Sequence, residues 1–436
     1  MDSSERAEPV SSNCVRALYS GCHDFVNEAA AACRFSEGTP SPIFKDGPLH
    51  MFEKQLNELA ARHLTRRLTP LHSGIGPVVE MAGRQILLLA SNDYLGLAMH
   101  PEVIQSAIEA TQRFGAGAGA ARLISGSLPP HQELESALAQ FKGTEAALTF
   151  SSGYLANIGT IPTLIGRGGL ILADRLSHAS LIDGCRLSAA DFRIYHHNDT
   201  SHLKSLLTKR RRARRTLIVT DGLFSMDGDL APLPELSRLA QDYEADLYID
   251  DAHGTGVMGP HGRGTAEHFG LDTQIPFQMG TLGKAFGSSG AYLAGPATLI
   301  RYLMNTSRSF IFTTAPPPSS AAAVTAALQV MQREPERRAR LWANRERLFS
   351  GLTQLGFSLS PSVSPIMPIL VGNAETALSF SEHLFTEGVY APAIRPPTVP
   401  DATSRIRVTV TSEHTPSHID HALTAFQRAG QSAGLI

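Results

Sequence analysis

The chain has 436 residues, with 38 Lys and Arg against 40 Asp and Glu and a formal net charge of −2. That balance supplies no basic field for nucleic acid or an anionic membrane surface. Hydrophobic residues at 42% and charged residues at 18% exclude overall disorder and allow a large buried core, and no run of about 18 apolar residues marks a membrane-spanning helix.

Residues 1–50 hold Cys14, Cys22 and Cys33 and a Ser/Gly/Pro-rich stretch from Ser36 to Pro48. Acidic residues outnumber basic ones there and no apolar signal core is present, so the pattern of a targeting peptide is missing. This segment is expected to be a disordered, dispensable N-terminal extension, with Met51 a candidate start. With Cys185 the cysteines fit neither a zinc spacing nor a disulfide frame, so no metal and a reduced, cytoplasmic setting are expected.

Residues 51–90 read as a helix and a connecting segment. Phe52, Leu56, Leu59, His63 and Leu64 approach helical spacing, Thr69-Pro70 breaks it, and Gln85–Ala90 reads as a buried strand. Pro101 near a first helical turn opens a helix to Phe114. Seven short apolar strands follow: Ala147–Phe150, Leu170–Ala173, Phe192–Tyr195, Leu217–Thr220, Leu247–Asp250, Phe277–Gly280 and Ala291–Ala294. Helical periods lie between most of them, which predicts an α/β fold with a mostly parallel sheet over 91–315. Ligands of such sheets bind outside the carboxyl ends of the strands, where this chain places its small and polar residues. Residues 316–436 predict a smaller α+β domain: one long helical stretch at Ser320–Leu355, a strand at Ile366–Val371, a helix at Glu375–Glu387, a strand at Ile406–Val410 and a helix at Ser417–Arg428.

Three apparent motifs fail on context. Gly115–Gly119 follows a helix rather than a strand and lacks G-x-G-x-x-G spacing, so it is no dinucleotide loop. Lys209–Arg215 is basic but has no interleaved aromatic residue, and reads as a solvated helix end rather than a nucleic-acid site. Gly287-Ser-Ser-Gly290 has the wrong spacing for a nucleophile elbow.

The informative cluster is wider. Asp250-Asp251-Ala252-His253 follows a strand, so one aspartate reaches a ligand while its neighbour faces the other way. Lys284, the only lysine after Lys209, sits among small residues in Thr281–Gly287. Without an adjacent acid its amine suits nucleophilic or base chemistry, although an exposed loop lysine is the usual fate of this residue type. An Asp, a His and a Lys at strand ends are together what a pyridoxal phosphate site needs.

The ordered segments Ser91–Leu97, Ala173–Ser180, Phe224–Asp229, Asp250–Gly256, Thr281–Lys284 and Ile394–Pro400 resemble those of the α-oxoamine synthases. These are fold-type I pyridoxal phosphate enzymes, and the resemblance runs from about Met51 to the C-terminus. It implies a large domain with a seven-stranded, mostly parallel sheet, and a small C-terminal domain packed beside it together with the N-terminal helix. Lys284 would carry the cofactor and act as base, Asp250 would face the pyridine nitrogen, and His178 would stack on the ring. Ser225 and His253 would lie near the phenolic oxygen, while Gly153, Tyr154 and Thr281 would meet the phosphate. Thr313 and Thr314 would reach the phosphate of a partner subunit, which implies a homodimer with shared sites. Arg407 would clamp the amino-acid carboxylate beside Asn92, and Arg66 and Thr398 would lie on the acyl-donor side. Ala393–Pro400 marks the branch of the family that joins L-alanine to a pimeloyl thioester, carried by coenzyme A or an acyl carrier protein, in biotin synthesis. A glycine C-acetyltransferase or another amino-acid and acyl pair is the alternative. Leu123, Asp221 and Phe312 depart from residues found in some relatives.

Overall fold

A computed structural model describes residues 50–209 and 214–436. The expected extension, with Cys14, Cys22 and Cys33, and the centre of the basic run at 210–213 lie outside the described residues. The chain divides into two compact units, 1–65 and 66–436. In the first, a helix spans His50–Ala61 and gives way to His63 at a left-handed φ of 56°.

The described residues of the second unit carry thirteen strands: β1 Val78–Met81, β2 Arg84–Leu88, β3 Ala146–Phe150, β4 Leu170–Asp174, β5 Asp191–Tyr195, β6 Thr216–Asp221, β7 Asp246–Asp250, β8 Phe277–Thr281, β9 Ala291–Gly295, β10 Ile366–Gly372, β11 Val389–Tyr390, β12 Ala393–Ile394 and β13 Ser404–Thr409. All seven strands expected in the centre join one sheet in the order β3-β9-β8-β7-β6-β4-β5. β9 alone runs antiparallel to its neighbours, against β3 and β8.

The sheet is apolar because both of its faces are covered. β4 and β6 are buried along their whole length. Their side chains alternate between two cores. Ile171, Ala173, Leu217, Val219 and Tyr248 join the cluster under the helices Gly153–Leu164 and Ala179–Leu187. Leu170, Leu172, Ile218, Leu247 and Ile249 join the opposite cluster with Leu203, Leu236 and Leu239.

The C-terminal part holds an antiparallel sheet in the order β10-β13-β12. β1, β2 and β11 form a third sheet. The expected long helix after Ser320 is in fact two, Pro318–Arg333 and Glu336–Gln354. Pro335 disfavours helical geometry in the residue before it, and Glu334 departs to φ −117°, ψ 63°. The pattern reading also passed over the helix Pro129–Lys142 and the hairpin strand β1. We propose the division at 315/316 on this separation of the two sheets. Among the described residues no helix is long and apolar enough to cross a membrane.

Candidate active site

Strand alternation explains the acidic pair after β7. Tyr248 and Asp250 share a face, and Asp250 is buried below the helix Gly153–Leu164. Its Oδ2 accepts from Asn157 Nδ2 at 2.8 Å and its Oδ1 from the Ala252 N–H at 3.0 Å. Asp251 points the other way and ties down a turn, accepting the Thr265 N–H at 2.9 Å and the Thr265 hydroxyl at 2.8 Å. Burial raises its carboxyl to about 6, against the pull of the Lys142 ammonium.

Lys284 follows β8 in the tight turn that closes with the Gly287 N–H on the Lys284 carbonyl. Burial pushes its amine down to about 8; the charge of Asp250 opposes the shift and that of Arg407 adds to it. Gly287 makes the turn possible: its φ is 64°, and a Cβ there would lie 2.2 Å from the Ala98 nitrogen. Asp221, at the end of β6 and in register with Asp250, accepts the His178 N–H at 2.9 Å. Burial and the neighbouring Asp250 hold the Asp221 carboxyl well above its usual range.

His178 caps the helix Ala179–Leu187 and leaves its ring exposed, with Nδ1 2.7 Å from Ser180 Oγ. His253 is buried, with Nδ1 2.7 Å from the Tyr94 hydroxyl. Burial, then the charges of Lys284 and Arg407, keep its pKa well below the usual imidazole value. Arg407, on β13, is fixed by the Ser225 carbonyl on Nε and by Asn92 Oδ1 on Nη2.

Two of the residues expected on the phosphate side, Gly153 and Thr281, meet. Ser152 caps the helix that begins at Gly153, accepting the Leu155 N–H at 3.2 Å. The first N–H groups of a helix have no partner within it and form an anion site. Gly153 abuts Thr281, and a Cβ there would lie 2.8 Å from Thr281 Cγ2. The Tyr154 hydroxyl instead donates to Asp183 at 2.7 Å, which leaves only its backbone N–H at this helix start. Among the described residues no hydrogen bond joins Thr313 or Thr314 to the cluster, and Thr314 is exposed. Arg66 meets Thr398 Oγ1 at 3.5 Å and the Pro396 carbonyl at 3.4 Å. Arg395 stands close enough that, after burial, the Arg66 charge lowers its pKa.

Motif reading missed Asn157, Ser180, Tyr94 and His197. Ser180 and Tyr94 lay inside recognised segments. Asn157 had one faint signal, the only side-chain amide of a mostly apolar helix, one helical turn after Gly153.

A buried acid, a lysine of lowered pKa, an exposed histidine beyond a strand end and a helix N-terminus that requires glycine fit pyridoxal phosphate. The chain belongs to the aminotransferase class I and II family, matched over residues 84–426, and within it to the α-oxoamine synthases, fold-type I enzymes that use pyridoxal phosphate. It is 49% identical to the 8-amino-7-oxononanoate synthase of Geobacter sulfurreducens over 385 residues, 88% of this chain and 98% of that protein. It is 43% identical to 8-amino-7-oxononanoate synthase 1 of Bacillus subtilis, over 88% of this chain and 97% of that one. Among solved structures, a serine palmitoyltransferase from S. paucimobilis aligns with a TM-score of 0.86 at 34% identity, over 89% of this chain and 100% of that chain. The 8-amino-7-oxononanoate synthase of Francisella tularensis aligns with a TM-score of 0.69 at 28% identity, over 80% and 98%.

Proposed function

We infer that the protein condenses L-alanine with a pimeloyl thioester, releasing CO₂ and the free thiol carrier and giving 8-amino-7-oxononanoate for biotin synthesis. The observation that carries this reading is the buried Asp250–Lys284 site within a chain 49% identical to a protein of that name. Bound pyridoxal phosphate supplies an electron sink for the pair left at the amino-acid Cα.

The chain's own residues do the rest. Lys284 Nζ would hold the cofactor and take the Cα proton; its lowered pKa of about 8 leaves a fraction of the amine unprotonated near neutrality, far more than an ordinary lysine keeps. Asp250, oriented by Asn157 and the Ala252 N–H, would present a fixed carboxylate to the ring nitrogen of the cofactor. His178 would cover the ring of the bound cofactor, and Ser225 and His253 would line its phenolic side. The N–H groups of Gly153 and Tyr154 and the Thr281 hydroxyl receive the phosphate. Arg407, already oriented by Ser225 and Asn92, grips the alanine carboxylate. Arg66, Arg395 and Thr398 place positive charge and a hydroxyl where an anionic acyl donor enters.

A homodimer with shared sites is part of the proposal. Phe312 at 72% exposure, beside Thr313 and Thr314, together with Ile124 at 81%, supports a face that a second copy covers. A cytoplasmic setting belongs to the same reading. The likeness to serine palmitoyltransferase favours a second pair of substrates on the same cofactor residues. The test is therefore to incubate the purified protein with L-alanine, glycine or L-serine, each with pimeloyl or shorter thioesters, and to identify products by mass. The aminoketone from alanine and the pimeloyl donor is expected to dominate. A product formed only from glycine or serine would overturn the assignment.

A further inference from the structure

Three elements meet at one amide that no catalytic motif contains. Asn157 lies on the helix Gly153–Leu164 and is fully buried. β7 brings Tyr248 and Asp250 to it from below. The helix Ala179–Leu187 brings Ser180 from the side, packed so closely that a Cβ on Gly184 would lie 3.0 Å from the Asn157 carbonyl oxygen.

The hydrogen bonds around Asn157 can run in only one direction. Asp250 Oδ2 is an acceptor, so the atom 2.8 Å from it must be Nδ2. The second Nδ2 proton goes to Ser180 Oγ, also at 2.8 Å. Oδ1 then faces the Tyr248 hydroxyl at 2.8 Å, which must donate. Because Ser180 Oγ receives a proton from Asn157, its own proton is free for His178 Nδ1 at 2.7 Å. The Ser180 N–H points at the same nitrogen from 3.3 Å, and only a lone pair can accept it. The ring proton of neutral His178 therefore resides on Nε2.

We propose that Asn157 is the positioning residue of this site: one buried amide holds the Asp250 carboxylate in place and, through Ser180, sets His178 as the Nε2–H tautomer. The proposal rests on the reading that Asp250 and His178 flank the cofactor. It makes the Asp250 carboxylate and the His178 imidazole a single unit, oriented from the Tyr248 hydroxyl onward. A change at the amide must therefore be felt at both.

Two readouts besides turnover test it: the dissociation constant of pyridoxal phosphate, from titration of the cofactor-free protein, and the ¹⁵N shifts of His178 in the loaded protein, assigned by their loss in His178→Gln. Asn157→Ser is expected to weaken the cofactor about tenfold or more, as loss of a hydrogen bond to a charged group does, and to move the His178 shifts. Ser180→Ala keeps the Asp250 contact, so it is expected to move the Nδ1 shift toward mixed tautomers with a smaller loss of affinity. Asn157→Asp sets a second carboxylate against Asp250, and its affinity loss is expected to shrink as pH falls and the pair gains a proton; a packing defect alone gives a loss that does not change with pH. Should Asn157→Ser not fold, Tyr248→Phe keeps the amide and removes only the donor that fixes its orientation, with an expected loss of about threefold. Affinity within twofold of the natural protein and unmoved His178 shifts in folded Asn157→Ser, or in Tyr248→Phe where the first does not fold, overturn the proposal. Failure of the natural protein itself to take up the cofactor sinks the underlying reading, and this inference with it.

Discussion

The cofactor wall and the acyl-donor wall of the proposed site are built by opposite means. On the first, Asp250 at the end of β7, His253 just after it and Asn157 on the helix Gly153–Leu164 are buried, and their bonds to other side chains run at 2.7–2.8 Å. On the second, Arg66 and Thr398 are exposed and touch at 3.5 Å. The first wall is preorganised by its packing, as chemistry at a fixed ring requires. The second is free to adjust to a long, flexible donor, as loop-borne binding surfaces generally do. Substitutions on the first wall should therefore abolish or redirect chemistry, and those on the second should change affinity alone.

Lys284 is where that contrast is most exposed to failure. Lys284→Ala is expected to lower turnover on the order of 10⁴-fold, the upper range for a general base, and to remove the attachment of the cofactor that borohydride reduction makes permanent. The natural amine, at about 8, is protonated below that pH and unreactive toward an aldehyde. Cofactor capture by the stripped protein should therefore speed up as pH rises and level off above about 8. Because the Arg407 charge depresses this amine, Arg407→Gln should move the midpoint upward. Turnover surviving in Lys284→Ala, or reductive tagging at another lysine, would remove the buried wall from the chemistry.

The sequence was legible where chemistry and periodicity coincide. Every expected strand of the large sheet is present within a residue or two, because the fully covered strands are short apolar runs bounded by turns, as in Leu170–Asp174 and Thr216–Asp221. The helix Pro101–Phe114 matches end to end, set by Pro101 at its start and Gly115 at its stop. Asp250 and Asp251 divide their roles as strand alternation requires. Asn157 stayed hidden because its role depends on a helix and two strand residues meeting in space, and no local pattern records that. Arg66 and Thr398 are 332 positions apart, so only the resemblance to a family linked them. The break at Pro335 was missed because the Ala/Leu/Arg composition continues through it.

His197 offers a sharper test of how the buried wall is held. Its ring bridges Asp174, at 2.9 Å from Nδ1, and Asp229, at 2.9 Å from Nε2. It also sets its edge on Phe224 at 4.5 Å. It thus joins the segment that leads to His178 to the segment that carries Ser225. Burial works against the charged ring, yet the two carboxylates raise it to about 10. A group raised on folding stabilises fully below its unfolded pKa, about 6.5 for histidine, and that contribution is lost as pH rises toward 10. Thermal stability of the natural protein should accordingly fall between pH 6.5 and 10, and His197→Asn should flatten much of that slope. Equal slopes in the two proteins would detach His197 from the folded state's charge balance.

The smallest effect belongs to Arg66, and it decides whether the second wall is a binding surface at all. Exposed and held only at 3.4–3.5 Å, this guanidinium contributes to its contacts about as little as a surface ion pair, ~1 kcal/mol or less. Arg66→Ala is therefore expected to raise KM for the thioester by up to about fivefold, with kcat and KM for alanine unchanged. That pattern marks a contact made equally in the ground and transition states. Added salt should narrow the difference, since screening weakens the same attraction in the natural protein. A fall in kcat with KM unmoved would instead place Arg66 among the residues that shape the reacting centre. The two walls would then differ in exposure but not in function.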